Sequence, residues 1–165
     1  MRSLKSYCIA GAIFTLIVGT ISHFVYEWSG NHFIAGLFFP INESTWEHMK
    51  LVFFPMLVYA LVAGNRLLRE NPCFLYASFA GILAGTWLIP VIFYIYTGIL
   101  GYHKAWLDIL TFVVSVIAAY AVIYRAALNC RRKGFVIIKL ILIAQLAAFI
   151  IFTVYPPGIG LFSVP

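Results

Sequence analysis

Apolar residues run almost unbroken over five stretches, 7–26, 46–63, 74–96, 106–124 and 135–155, and the short segments between them hold most of the polar side chains. Each stretch is close to the ~20 residues a helix needs to cross a hydrocarbon layer ~30 Å thick. Lipid offers no partner to an unpaired backbone N–H or C=O, so helices are the expected element. The pattern predicts an all-α integral membrane bundle of five transmembrane helices, forming a single domain over residues 1–165.

A sixth apolar run, 32–41 (HFIAGLFFPI), is too short to cross and is expected as an interfacial or re-entrant segment between helices 1 and 2, placed to roof a cavity. Pro40 ends it. The stretch from Asn42 to His48 then reads as a helix start, with Ser44 and Glu47 forming a capping box. Pro55 and Pro90 are expected to kink the second and third spans. Small residues recur every four positions in the first span (Gly11, Thr15, Gly19) and the third (Ala77, Gly81, Gly85), a spacing that lets helices approach closely. Those two spans are therefore expected to be the tightest pair. Gln145 and Ser115 are expected to hydrogen-bond between helices.

Composition removes the soluble alternative: 64% of the chain is hydrophobic and 10% charged, too little polar surface to cover a water-soluble domain of this size. The basic balance, 11 Lys and Arg against 5 Asp and Glu, would suggest nucleic acid in a soluble protein. Here it is a topology signal, and no nucleic-acid partner is expected. Arg2 and Lys5, Arg66 and Arg69, and the group Arg125, Arg131, Arg132 and Lys133 fall in alternate connecting segments, which assigns those to the cytoplasm. Segment 27–45 has no Lys or Arg and segment 97–104 has only Lys104. The amino terminus is then inside and the carboxyl terminus outside. Lys139 sits one turn into the fifth span, within snorkelling reach of the cytoplasmic surface.

The first run follows Arg2 and Lys5 like a signal peptide but continues to Tyr26 without a small-x-small cleavage site, so it is expected to be retained. The basic segments favour anionic lipids as partners, with a homo-oligomer or a partner membrane protein also compatible. Cys8, Cys73 and Cys130 form no C-x-x-C and are expected as reduced packing residues.

Candidate chemistry gathers at one face. Of the five carboxylates, Glu27, Glu43, Glu47 and Asp108 map to the outer helix ends, together with His23, His32, His48 and His103. His23 and Glu27 are four apart, as are Glu43 and Glu47, which puts each pair on one helix face. Two carboxylates beside a low-dielectric layer call for a metal, a proton or a basic partner, and Lys50 is a further candidate. His23, Glu27, Glu43 and His48 form an N/O ligand set suited to Zn, Mn or Fe, with Glu47 or Asp108 as general base. The same groups also suit a proton relay, or simply acidic helix starts matched to the helix dipole. His32 has no partner at helical spacing and reads as a surface residue; Lys104 and Asp108 read as a surface ion pair. Trp28, Trp46, Tyr94, Tyr96, Tyr102 and Trp106 fit an outer aromatic belt, with Tyr96 and Thr97 near enough to the acidic face to donate to a substrate.

The stretches HFVYEW (23–28), NESTWEHMK (42–50), YTGILG (96–101) and WLDI (106–109) resemble signatures of a family of small bacterial integral membrane proteins of unknown function. That resemblance implies a multi-pass protein of the bacterial plasma membrane and supplies no activity. In residue kinds alone the site is loosely similar to seven-span metal-dependent membrane hydrolases of the alkaline ceramidase type, although this chain has five spans and no paired histidines on a late helix. The function classes left are a metal-dependent membrane enzyme acting on a lipid or lipid-linked substrate, a small cation- or proton-coupled transporter, and a non-catalytic accessory subunit.

Overall fold

The computed structural model describes residues 2–129 and 134–164. The described residues are helical, with no strand among them. The elements are α1 (Arg2–Trp28), α2 (Phe33–Phe38), α3 (Thr45–Ala63), α4 (Asn65–Glu70), α5 (Phe74–Leu100), α6 (Ala105–Leu128) and α7 (Phe135–Val154), then a 3₁₀ turn at Gly160–Phe162. Five of the helices, α1, α3, α5, α6 and α7, are long and apolar enough to cross a membrane. They coincide with the five runs read from the sequence. The short run became the six-residue α2. Arg131, Arg132, Lys133 and Cys130 lie outside the described residues.

The bundle is built for an apolar surrounding. On α1 the side chains of Ile9, Ile13, Ile17 and Ile21 point outward, while Gly11, Thr15, Gly19 and Ser22 on the opposite face are buried. Small and polar residues inside with aliphatic residues outside is the reverse of a water-soluble helix, and it suits association in lipid through close packing.

α3 lies between α1 and α5, while α6 packs along α5 and also meets α1; α7 covers α5 and carries α2. The small-residue stripes do seat helices closely, but not on each other as expected. A Cβ at Gly19 would lie 2.6 Å from the Leu51 carbonyl oxygen of α3 and 2.6 Å from the Phe112 ring of α6. Gly81 and Gly85 instead seat α5 against α6, where a Cβ on Gly81 would stand 2.7 Å from the Ala119 carbonyl oxygen. α6 is the shared partner because it carries the bulky residues, Phe112, Tyr120 and Ile123, that fill both sets of gaps.

Several polar expectations change. Ser115 Oγ and Gln145 Nε2 are buried without a hydrogen-bond partner. The hydroxyls of Thr15 and Tyr120 tie α1 to α6 at 3.0 Å, and the Tyr59 hydroxyl donates to the Tyr7 carbonyl at 3.2 Å. Trp46 is no belt residue: it is buried against Phe149, Phe152 and Phe162. Trp28, Trp106, Tyr94 and Tyr102 are exposed near the helix ends. Pro55 and Pro90 lie inside continuous helices, both buried. Cys8 is a free buried thiol, whereas Cys73 is disulfide-bonded and not reduced.

Candidate functional site

The site is built at the end of the bundle where α1 finishes and α3 and α6 begin. Ser44 caps α3, its hydroxyl accepting from the Glu47 N–H at 3.4 Å. The reciprocal half of the capping box is absent. The Asn42 side-chain oxygen takes the Ser44 N–H at 2.9 Å instead, turning the chain just ahead of the helix. Glu43 therefore precedes the helix and shares no face with Glu47. The separation of these two carboxylates is the main departure from the sequence reading.

Glu43 goes to the histidines. Its Oε2 lies 3.5 Å from His23 Nε2 at the end of α1 and 3.3 Å from His48 Nε2 on the first turn of α3. One ligand atom from each of the three lies within 4.8 Å of the others, and the two imidazoles stand 5.3 Å apart. His48 Nδ1 donates to the Ser44 carbonyl at 2.9 Å. A carbonyl oxygen can only accept, so that contact places the proton on Nδ1 and turns the Nε2 of a neutral ring, with its lone pair, toward Glu43. Two lone-pair atoms at 3.3 Å repel unless a cation lies between them. A proton or a metal ion between them would relieve that repulsion, and Glu43, whose side chain is 61% exposed, is also open to solvent.

Glu47 goes elsewhere. It is 2% exposed, and its Oε2 accepts from Lys50 Nζ at 2.7 Å and from the Ile41 N–H at 3.0 Å. Lys50, 1% exposed, also donates to the Gly36 carbonyl at 2.9 Å and to Thr153 Oγ1 of α7 at 2.7 Å. All three ammonium protons thus have acceptors. The pair clamps both ends of the segment from Gly36 to Ile41, just before Glu43, and ties it to α7. Glu47 is thus held in a buried ion pair and is not among the residues that line the cavity described below.

Asp108, on the first turn of α6, is held by the Tyr96 hydroxyl and by His103 Nδ1 at 3.4 Å. Gly101, at φ +78°, ends α5 in the left-handed conformation that a residue without a Cβ adopts freely, and so folds Asp108 back toward Tyr96. No ion pair joins Lys104 to Asp108; the Lys104 ammonium lies over the Tyr102 ring, 5.2 Å from its centre. Thr97 donates to the Phe93 carbonyl of its own helix. His32 caps α2 through Nδ1, and Glu27 is exposed on the last turn of α1, outside the His23–Glu43–His48 group.

A cavity of about 550 Å³ joins these groups. His23, Glu43, His48, His103 and Asp108 line it together, with an apolar wall that includes Phe24, Leu51, Ile89, Phe93 and Phe112. The α2 segment does not roof it; α2 lies over α7. Val164 of the carboxyl-terminal tail lines the cavity, and the tail is anchored by Phe162 against Trp46 and Phe152.

One family model covers residues 1–164, that of DUF6512, described as a family of unknown function. The chain belongs to that family. No curated protein and no solved structure matches this DUF6512 chain. Its function must accordingly be argued from the site. The sequence of this DUF6512 chain already offers Lys50 as a candidate partner for the carboxylates; two features escaped the sequence reading, the ties from Lys50 to Gly36 and Thr153 and the docking of the tail. A Glu and a Lys three apart inside an apolar helix, and Leu161, Phe162 and Val164 set among Pro and Gly, were the available signals.

Proposed function

We propose that this protein is a metal-dependent membrane enzyme acting on a lipid or lipid-linked substrate, with His23, Glu43 and His48 holding a divalent transition metal. The observation that carries the reading is the convergence of both Nε2 atoms on one Glu43 oxygen, at 3.5 and 3.3 Å. Ligand bonds of ~2.0–2.2 Å in a tetrahedral arrangement put neighbouring donor atoms roughly 3.3–3.5 Å apart. The Ser44 carbonyl on His48 Nδ1 is the outer partner that a ligating imidazole usually has, and it presents Nε2 for coordination. Two imidazoles and a carboxylate suit Zn, Mn or Fe and leave a position open. A metal there would polarise a substrate carbonyl or phosphoryl group and make bound water more acidic.

The base role falls to Asp108, which lines the same cavity. Tyr96 and His103 orient its carboxylate. Glu27 would contribute no bond, being exposed and apart from the cluster.

Protein purified without chelator should carry roughly one transition-metal equivalent per chain by elemental mass spectrometry. Glu43→Gln and His48→Ala should each lose it, and His32→Ala should keep it. Metal-free wild-type protein, or retention by Glu43→Gln, would overturn the proposal.

The orientation that accompanies this reading is amino terminus inside and carboxyl terminus outside, with the site facing out from a bacterial plasma membrane. Alternating loop charge supports it. The disulfide at Cys73, at the end that charge assigns to the reducing cytoplasm, argues the other way. Alkaline phosphatase, active only outside the cytoplasm, should be active when fused after Pro165; inactivity there, with activity when it is fused after Glu70, would reverse the assignment.

A further inference from the structure

The cavity has a side as well as an end. Among its lining residues Thr20 and Phe24 of α1 and Ala105 and Ile109 of α6 are exposed on the outside of the bundle, Ile109 to 64%. These positions lie in helices long and apolar enough to cross a membrane, where the medium outside is lipid. Deeper in the bundle α1 and α6 are pressed together, with the Phe112 ring against Gly19 and the Tyr120 ring against Gly11. One turn beyond Gly19 no glycine follows, and the helices part around the cavity. Phe112 forms its floor. The Thr20 hydroxyl donates to the Leu16 carbonyl of its own helix at 2.8 Å, so it makes no polar demand on whatever occupies the opening.

We infer that the gap between α1 and α6 is a lateral portal, and that the cavity holds an acyl chain of a membrane lipid drawn from the leaflet at that end. The chain lies against Phe24, Ile109 and Phe112, with the polar head at His23, Glu43, His48 and Asp108. The distribution of lining chemistry supports this occupant. All the ionisable lining groups belong to the outer end, and the wall below them is apolar apart from threonines. An acyl chain leaves lipid for a wall equally apolar and strands no polar group on entry, whereas a polar soluble substrate would give up its hydrogen bonds to water against that wall. The inference names the substrate class for the enzyme reading and rests on it for the chemistry at the polar end, but binding of the chain does not require the metal.

The test is photolabelling of the full chain in nanodiscs with stearic acid, and separately with a phosphatidylglycerol, each carrying a mid-chain diazirine. Adducts should concentrate on the peptides containing Phe24 and Ile109–Phe112. Ile109→Trp and Thr20→Trp, both at exposed positions, should reduce that labelling several-fold, and Ile117→Trp, exposed two turns further along α6, should leave it unchanged. Labelling by the phospholipid but not the free acid would identify an intact lipid as occupant; labelling by the free acid alone would overturn that assignment. Adducts spread evenly over the outward faces of α1 and α7, indifferent to Ile109→Trp, would overturn the portal. Metal content measured on the same samples separates the failures: labelled protein without metal sinks the enzyme reading and spares the portal, while metal-bearing protein without focused labelling does the reverse.

Discussion

Lys50→Met should lower the thermal midpoint of the detergent-solubilised protein by roughly 10 °C, a larger loss than any exposed substitution would produce. Methionine matches the stem of lysine and leaves no large void, so the effect comes from what Lys50 Nζ holds. Its removal strands the Glu47 carboxylate, 2% exposed, with the Ile41 N–H as its remaining partner. It also leaves the Gly36 carbonyl without its donor and cuts the tie to Thr153 on α7. Stripping one partner from a buried ion pair costs about 3–5 kcal/mol, mostly because the other charge stays buried. The double variant Lys50→Met with Glu47→Gln removes that stranded charge. It should therefore be more stable than Lys50→Met alone, although it still lacks the clamp on Gly36. Equal stability of the double and single variants would show that the packing of the α2 segment, and not the charge pair, sets the cost. An unchanged midpoint in Lys50→Met would refute the clamp altogether.

That clamp also marks how far the sequence could be read. The five spans were legible because lipid imposes one demand on every residue of a span, and no tertiary detail alters it. The polar face at one end of the bundle was legible for a related reason: ionisable groups are expelled from the hydrocarbon and collect at helix ends. What could not be read was which carboxylate meets which base. Glu43 and Glu47 look equivalent at helical spacing, yet the Asn42 turn moves Glu43 off the helix to His23 and His48 while Glu47 turns inward to Lys50. A single backbone turn made the difference, and its outcome depends on where Gly36 and Thr153 supply acceptors from distant parts of the chain. Asp108 likewise looked like a partner for Lys104 at helical spacing; the turn at Gly101 offered it Tyr96 and His103 instead.

Helix pairing was the other unreadable quantity, and Gly81→Ala tests it directly. Small-residue stripes announce that a helix is approached closely but not by which neighbour. In this bundle the added methyl at position 81 would sit 2.7 Å from the Ala119 carbonyl oxygen and closer still to the Ile123 side chain. Backbone oxygen cannot swing aside as a side-chain terminus can. α5 and α6 must separate, and overpacking of this kind costs about 1–3 kcal/mol. Gly98→Ala is the control on the same helix: its added methyl meets nothing within 4 Å, and replacing glycine with alanine in a helix gains up to about 1 kcal/mol. The two variants should therefore differ, Gly81→Ala lowering the thermal midpoint by several degrees and Gly98→Ala leaving it level or slightly raised. If α1 and not α6 were the neighbour of the α5 stripe, the cost of Gly81→Ala would be the same with and without Ile123→Ala. With α6 as the neighbour, Ile123→Ala removes the side-chain atoms that the new methyl meets first, so Gly81→Ala should cost less in that background than in the wild type, a coupling between residues in contact that distant sites do not show.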